Sequence, residues 1–141
     1  MSLNDNERCI LVDLYLRKCE ETLNDAQLMF IQRRWNSTAN RLYYALFNAI
    51  TALFVSYGIP VGSHNGAKIR FGRDFVLKGL ASTDEGKLLA QMMSMRERAD
   101  YDATFTASET LINSRYPAVE QMISHIKELI NQPHELFTES E

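Results

Sequence analysis

Two groups of polar side chains within apolar stretches are the residues best suited to chemistry in this sequence. The first is a stripe of Arg41, Tyr44, Asn48 and Thr51 in the segment NRLYYALFNAITALF, residues 40–54. At roughly 100° per residue, a helix gathers this stripe on one narrow face and leaves apolar residues, Tyr43 and Phe47 among them, around the rest. Guanidinium, phenol and carboxamide groups combine hydrogen-bond donors with a stacking face, so the stripe indicates a recognition surface. Plain exposure to solvent is the alternative.

The second group lies in the segment LLAQMMSMRERADYD, residues 88–102, where Arg96 and Asp100 fall on the apolar face of a predicted helix. A guanidinium on a core-facing surface is costly unless it is paired, and Asp100 is within reach four residues later. One carboxylate does not use all five donors of an arginine, so we expect further partners nearby. A charged cluster at a cleft or subunit interface is predicted, and a structural ion pair at the helix end is the alternative.

His64 is the third candidate, because it opens the segment His64-Asn65-Gly66 beside a basic stretch of the chain. Its imidazole is suited to contact a phosphate or a carboxylate, and a loop or capping role is equally open. The predicted binding residues are Arg41, Tyr44, Asn48, His64, Arg96, Asp100 and Tyr101. The catalytic residues stay unknown, with Arg96, Tyr101 and His64 as candidates.

Several classes of chemistry lack the residues they need. Cys9 and Cys19 fall in one predicted helix, where ten residues correspond to roughly 15 Å, too far for a disulfide bond. No Cys or His pair has the spacing of metal ligands, and no Glu-x-x-His motif suits a di-iron site. Phosphate loops and dinucleotide glycine fingerprints are absent from the sequence. We therefore expect neither a metal nor a cofactor.

Charge is distributed unevenly along the chain, whose formal net charge is −3. Residues 32–82 carry seven basic groups and a single acidic one, Asp74, whereas residues 1–31 sum to −3 and residues 83–141 to −6. A basic middle segment can attract an anionic partner. A solvated surface that pairs with the acidic helices is the alternative.

The periodicity predicts an all-α protein, an up-and-down bundle of four to five helices in a single domain of residues 1–141. Predicted helices cover residues 4–32, 36–57, 67–77 and 82–100, and a last helical region starts at a capping box of Thr106 and Glu109. Residues 58–66 are predicted to form a loop, and the tail from about residue 133 is predicted to be frayed. Pro117 should kink the last helix or restart it.

No apolar run is long enough to cross a bilayer, and the N-terminal residues do not resemble a signal peptide. We therefore expect a cytoplasmic protein without a membrane partner.

Several segments, in this order, resemble the HEPN family (higher eukaryotes and prokaryotes nucleotide-binding domain), in particular its short bacterial members. They are STANRLYYALFNA at residues 37–49, SHNG at residues 63–66, Phe71 with Phe75-Val76, and RERADY at residues 96–101. The resemblance covers roughly residues 36–130. It implies an up-and-down bundle that forms homodimers and is linked to RNA or nucleotides.

The resemblance also bears on catalysis. Many HEPN relatives are metal-independent ribonucleases, often toxins paired with a small nucleotidyltransferase, and their signature is an arginine followed after four to six residues by a histidine near the dimer cleft. No arginine in this sequence is followed by a histidine at that spacing, and Tyr101 stands four intervening residues after Arg96. A tyrosine, with an ordinary pKa of about 10, is a poor proton acceptor at neutral pH. The sequence therefore favours a protein that is not an enzyme.

Three functions remain in view. The leading one is a HEPN-like binding module that engages RNA, a nucleotide or a nucleotidyltransferase partner in a toxin–antitoxin-like system. The second is a metal-independent endoribonuclease with a non-standard active site, in which Arg96 acts with His64 or Tyr101. The third is a purely structural interaction protein.

Overall fold

Five α-helices and one π-helical turn build the protein, and they confirm the predicted all-α bundle. The computed structural model describes residues 3–137, and no strand occurs among them. The helices are α1 (Asp5–Ile31), α2 (Trp35–Ser56), α3 (His64–Phe71), α4 (Thr83–Tyr101) and α5 (Glu109–Asn131), and the π-helical turn Gly72–Val76 continues α3.

α2 is the central helix, because apolar residues cover nearly its whole circumference and all of them need neighbours. α1, α4 and α5 each pack against it. Its fully buried large side chains are Leu42, Tyr43, Leu46, Ile50, Leu53 and Phe54. Gly58, at φ 73°, lies just past the helix in the left-handed conformation that favours glycine, as expected for a residue that ends a helix.

α2 begins at Trp35, one residue before its predicted start at residue 36, and no side chain caps it. Asn36 instead joins α2 to the loop between α4 and α5. Its amide donates to the Phe105 carbonyl oxygen at 3.4 Å and accepts from the Ala107 N–H at 2.8 Å. This bridge holds the end of α4 near the start of α2.

α1 buries one face and exposes the opposite one. The buried positions Val12, Cys19 and Ala26 recur every seven residues and pack towards α2. Ile10 and Leu14 fit the apolar periodicity of the sequence, yet both are exposed. The helix therefore has more apolar surface than the bundle covers.

α3 begins at His64, three residues before the predicted start of the third helix, so the predicted loop of residues 58–66 is too long. Ser63 explains the early start, because its hydroxyl accepts the Gly66 N–H at 3.0 Å and caps the helix. His64 is thus the first residue of α3, and its side chain contacts Tyr43 of α2.

The π-helical turn carries a buried carboxylate. Asp74 accepts hydrogen bonds from Arg70 Nε at 2.7 Å and Arg73 Nε at 3.1 Å. Burial alone would raise the pKa of Asp74, but the hydrogen bonds and charges of Arg73 and Arg70 lower it below its ordinary value. Two of the seven basic groups of the middle segment therefore have a local structural partner.

α5 begins after Ser108, whose hydroxyl accepts the Leu111 N–H at 3.0 Å. The predicted capping box of Thr106 and Glu109 is therefore wrong, because the capping residue is Ser108, two residues after Thr106. α5 runs as one helix through Pro117, so the predicted restart at that residue does not occur.

Residues 133–137, predicted to be frayed, lie against the bundle as a strap. The Phe137 N–H donates to the Tyr57 carbonyl oxygen at 2.9 Å, and the His134 ring stacks on Tyr57 with 3.8 Å between ring centroids. The rest of the predicted frayed tail, residues 138–141, lies outside the described residues.

Candidate functional site

Arg96 lies at the centre of the candidate site, on the face of α4 that packs against α2. Only 8% of the residue is exposed. Its guanidinium carbon lies 5.3 Å from the ring centroid of Tyr43, 5.5 Å from that of Tyr44 and 6.0 Å from that of Tyr101. Three aromatic faces therefore surround a nearly buried cation.

Asp100 pairs only loosely with Arg96. Arg96 Nη1 lies 3.7 Å from Asp100 Oδ2, which is an ion-pair distance rather than a hydrogen bond. The closer partner of this carboxylate is Asn40, whose Nδ2 donates to its two oxygens at 3.0 and 3.3 Å. Arg96 Nε is buried and has no hydrogen-bond partner within residues 3–137. The arginine thus keeps unused donor capacity, which is costly in a buried group.

Arg41 extends the site along α2. Its Nε and Nη2 donate to Asn40 Oδ1 at 2.9 and 2.7 Å, and its guanidinium lies 5.5 Å from the ring centroid of Tyr44. Asn40 therefore connects Arg41 to Asp100, while Tyr44 contacts the guanidinium groups of both Arg41 and Arg96. Two arginines and a shared aromatic ring form one continuous surface.

His64 joins this surface from α3. Its Nδ1 lies 2.6 Å from the Tyr43 hydroxyl, and its ring stacks on Phe47 with 4.1 Å between centroids. Its edge-to-face neighbour is Tyr44, 5.9 Å away. Nε2 has no hydrogen-bond partner in the described part of the chain and remains free to act.

The titration of His64 and Tyr43 follows from this packing. Burial lowers the pKa of His64 below its ordinary value, and the nearby positive charge of Arg96 lowers it further. Burial raises the pKa of Tyr43 to about 12, although Arg96 acts in the opposite direction. At neutral pH the site therefore presents a neutral imidazole, a protonated phenol and a guanidinium.

Tyr101 is the exposed edge of the cluster, with 79% of its surface open to solvent. It lines a shallow depression of about 500 Å³ together with Arg96, Glu97, Arg98 and Asp102. A larger depression of about 600 Å³ lies elsewhere, between α1 and α5, and Glu20 and Glu120 are among its lining residues. The cluster around Arg96 is the better candidate for an anionic ligand, because its depression carries arginines as well as acids.

The structure brings six of the seven predicted binding residues together and leaves one apart. The six are Arg41, Tyr44, His64, Arg96, Asp100 and Tyr101. Asn48 instead faces α1, where its Nδ2 donates to Thr22 Oγ1 at 3.4 Å. Thr51, the last residue of the predicted stripe, is buried and donates to the Phe47 carbonyl oxygen at 2.9 Å. Only the first half of the stripe therefore reaches the cluster.

Three further residues of the cluster are not among the predicted binding residues: Asn40, Tyr43 and Phe47. Asn40 lies one helical turn before Tyr44, so extending the polar stripe backwards would have included it. Tyr43 was grouped with the apolar residues, although a buried phenol needs a hydrogen-bond partner and that need was a usable signal. Phe47 carries no such signal, because its contact with His64 depends on where α3 packs.

Residues 3–137 contain no group of three His, Cys, Asp or Glu side chains placed to hold a metal ion. Among the same residues, no helix has the length and apolar character needed to cross a membrane.

Fold and site together define an all-α bundle with a nearly buried arginine held among aromatic rings at the junction of α2, α3 and α4. The HEPN domain family matches residues 12–138, and the chain therefore belongs to the HEPN family. This match confirms the resemblance inferred from the sequence.

Relatives that match most of the chain include proteins of bacteria and archaea. A UPF0332 protein of Thermotoga maritima is 30% identical over 125 residues, covering 89% of this chain and 95% of the relative. A protein of Methanocaldococcus jannaschii, whose name marks it as a candidate toxin, is 26% identical over 113 residues, covering 80% of this chain and 84% of the relative. A UPF0332 protein of Archaeoglobus fulgidus is 26% identical over 121 residues, covering 86% of this chain and 96% of the relative.

Proposed function

We propose that this HEPN protein is a cytoplasmic RNA-binding module that works as a homodimer in a toxin–antitoxin-like system, with the Arg96 cluster as its RNA site. The observation that carries the proposal is the state of Arg96. Its guanidinium is nearly buried among three tyrosines, its Nε lacks a partner within the described residues, and its ion pair with Asp100 is long. The candidate toxin among the relatives supports the choice of system.

A phosphate is the ligand that best satisfies this arrangement. Its oxygens accept bidentate hydrogen bonds from a guanidinium, and Arg41 offers a second cation that contacts the same Tyr44 ring as Arg96. The exposed Tyr101 ring provides a face on which an unpaired base can stack. Because paired bases hide their faces, single-stranded RNA should bind better than duplex RNA.

Neighbouring acids keep this site from being a strong, unspecific polyanion binder. Arg41 and Arg96 of the cluster and the neighbouring Arg98 are matched by three acids, Glu97, Asp100 and Asp102. If two guanidinium groups engage phosphates, the logarithm of the affinity should fall with the logarithm of salt with a slope of about −1.4. A modest, salt-dependent affinity is therefore expected.

The proposal is tested by titrating labelled single-stranded RNA of about eight nucleotides with the protein and following fluorescence anisotropy. Arg96→Ala should weaken binding at least about tenfold, because it removes a desolvated phosphate contact. Arg98→Ala is the matched control: Arg98 is exposed on the same helix and rests on Phe105, so its loss should cost less than about threefold. Equal losses would mean that the charge is generic and that the site does not exist.

Arg96→Ala removes a buried side chain, so Tyr101→Ala serves as a second variant whose fold is not at risk. Loss of one stacking face should weaken RNA binding by about 1–3 kcal/mol. Free ATP and a co-expressed nucleotidyltransferase are titrated in the same way to test the two other candidate ligands. If the protein binds either of them more tightly than RNA, RNA is not its ligand.

A metal-independent endoribonuclease is the second candidate, and the neutral His64 beside Arg96 is the observation that favours it. If Nδ1–H donates to the Tyr43 oxygen, the lone pair of Nε2 can take the proton of a ribose 2′-hydroxyl. That oxygen then attacks the adjacent phosphorus, and the bond from phosphorus to the 5′ oxygen breaks. The 5′ oxygen takes a proton from water or Tyr101, while Arg96 stabilises the charge of the pentavalent phosphorus.

Cleavage of the same RNA in EDTA, with products ending in a 2′,3′-cyclic phosphate and a 5′-hydroxyl, would support this second function. His64→Gln should then lower the cleavage rate about 100-fold while RNA binding changes little. If the wild-type protein binds RNA without cleaving it, the endoribonuclease function is excluded and only the binding module stands.

A further inference from the structure

Arg115 on α5 is a second arginine whose Nε is buried without a hydrogen-bond partner, and it lies outside the Arg96 cluster. The residue is half-buried, and residues 3–137 offer it neither a hydrogen bond nor an ion pair. Its terminal nitrogens are not buried in this way, so an acceptor from outside the chain can reach them. Because part of the cation is already desolvated, a nearby anion would interact with it strongly.

Arg115 interrupts an apolar stripe of α5. Leu111, Arg115, Ala118 and Met122 recur at steps of four, three and four residues, so they share one face of the helix. This face is turned towards α4, because its residues line the same depressions as residues of that helix. The guanidinium is therefore placed between two helices on a face that is otherwise apolar.

Two depressions of about 440 and about 350 Å³ meet at this arginine and form one groove between α4 and α5. Gln91 of α4 and Arg115 of α5 line both depressions, so the two depressions join there. α4 and α5 each pack against α2 and contact each other only slightly, which leaves the space between them open. We call this space the α4–α5 groove.

Apolar side chains line most of the α4–α5 groove. They come from both helices and are buried or half-buried: Leu88, Ala90, Met95, Leu111, Ala118 and Met122. The two methionines have flexible side chains that adapt to ligands of different shape. Exposed amide and hydroxyl groups form the rim: Gln91, Ser94 and Gln121. Apolar walls with a few polar groups around one cation are typical of a site for a small ligand.

The charged groups along the groove favour a ligand with a single negative charge. Asp84, Glu85 and Lys87 line one end, and Arg98 lines the other. Together with Arg115, three basic groups against two acidic ones leave a net charge of +1. A phosphate monoester carries up to about two negative charges, whereas a carboxylate carries one and presents two oxygens to a guanidinium. A carboxylate is therefore the better match.

We propose that the α4–α5 groove binds a carboxylate carried on an apolar body, either a free carboxylic acid or an acidic side chain of another protein. The carboxylate accepts hydrogen bonds from Arg115 and Gln91, which lie where the two depressions join. The apolar body lies along the groove, against Met95 and Leu111 or against Leu88 and Met122. The groove shares no residue with the Arg96 cluster, so this ligand and RNA can bind at the same time.

The site is tested by NMR of protein labelled with nitrogen-15 arginine. The Nε–H groups of Arg96 and Arg115 are both buried and therefore protected from exchange with water, and Arg115→Gln assigns the second signal. Hexanoate should shift the Arg115 signal with a dissociation constant of about 1 mM, as expected for a small fragment, and leave the Arg96 signal in place. Acetate has the charge without the apolar body and hexanol the body without the charge, so each should bind at least about tenfold more weakly.

A matched pair of variants locates the site on the groove. Gln91→Trp places a large ring where the two depressions join and should weaken hexanoate binding at least about tenfold. Ser114→Trp is the control: Ser114 is exposed on α5 but does not line the groove, so the affinity should change less than about twofold. Equal affinities of the two variants for hexanoate would overturn the proposal.

Titration with the tripeptide acetyl-Leu-Glu-Leu-amide distinguishes the two sources of the carboxylate. Tighter binding of the tripeptide than of hexanoate supports an acidic side chain of another protein, and the reverse order supports a free acid. An Arg115 signal that neither ligand moves at about 20 mM would overturn the proposal, and equal shifts with acetate and hexanoate would indicate an unspecific ion and also overturn it. If single-stranded RNA moves the signal and hexanoate does not, Arg115 belongs to the RNA site and the proposal is wrong.

Discussion

At the scale of single residues, the cluster consists of pairs in which each polar side chain provides the hydrogen-bond partner that the other needs. The Tyr43 hydroxyl, on a buried face of α2, finds its partner in His64 Nδ1 at 2.6 Å. Asp100 finds its closest partner in Asn40 rather than in Arg96. Arg96 Nε is the one buried donor of the cluster without a hydrogen-bond partner among the described residues. A buried guanidinium in that state costs stability, and binding of an acceptor would recover it.

His64→Gln should change how stability depends on pH. Burial and the charge of Arg96 lower the pKa of His64 below its ordinary value of 6.5, so below about pH 6.5 the unfolded chain holds more protons at this residue than the folded chain. The stability contributed by neutral His64 is therefore complete above that pH and is lost on acidification. Urea unfolding at about pH 7.5 and about pH 5 should show a larger loss for wild type than for His64→Gln, by about 1.4 kcal/mol for each unit of lowering.

The comparison contains its own control. Above about pH 7.5 the histidine is neutral in both states, so the two free energies of unfolding should run parallel there. Equal losses for the two proteins between about pH 7.5 and about pH 5 would show that His64 is not held in its neutral form by the fold.

At the scale of the helices, local sequence signals predict where each helix lies more accurately than which of its faces is buried. Ser82 and Glu85 form the reciprocal cap that starts α4, with hydrogen bonds of 3.0 and 2.8 Å. The predicted start at residue 82 agrees with this cap, because capping is encoded by neighbouring residues. The faces of α1 were harder to assign. Ile10 and Leu14 recur at helical spacing, but a helix with two apolar sides has no single stripe for periodicity to find.

The segment after α3 also shows what local sequence patterns cannot predict. Phe71 and Phe75, four residues apart, are both buried, and their rings stack with 5.6 Å between centroids. The sequence thus predicts a helix here, and the chain is helical. The π-helical turn that carries Asp74 inward is decided by the demand for burying Phe75 against Phe54 and Tyr57, 5.9 and 5.1 Å away. No local pattern reports that demand.

At the scale of the whole molecule, the strap of residues 133–137 closes the end of the bundle where α2 ends. Its Phe137 ring lies 5.6 Å from Tyr57 and 5.8 Å from Phe75, and Lys78 Nζ lies 4.5 Å from its centroid. Two segments far apart in sequence, the start of the α2–α3 connection and the C-terminal strap, are held together here. This contact is remote from the Arg96 cluster.

Phe137→Ala should therefore lower the free energy of unfolding by about 1–2 kcal/mol, since it removes a half-buried ring and its aromatic contacts. The measurement is urea unfolding followed by circular dichroism. Leu136→Ala, one residue earlier and more exposed, is the matched control and should cost less than about 0.5 kcal/mol. RNA affinity should stay unchanged in both variants, and similar small losses from both would mean that the strap contributes little to the fold.

The sequence by itself determined that this protein is a helical bundle with a strongly apolar helix, predicted at residues 36–57, because helix periodicity and apolar content are local properties. It also determined that Arg96 needs partners beyond Asp100, because a guanidinium on an apolar face cannot satisfy its donors alone. Which partners these are was decided only by the tertiary structure. Asn40 and Asp100 are 60 residues apart, Tyr43 and His64 are 21 apart, and both contacts depend on how whole helices pack against α2. The tertiary structure likewise decided that Ile10 and Leu14 face outwards, because α2 offers α1 only one surface to cover and the bundle provides no second one.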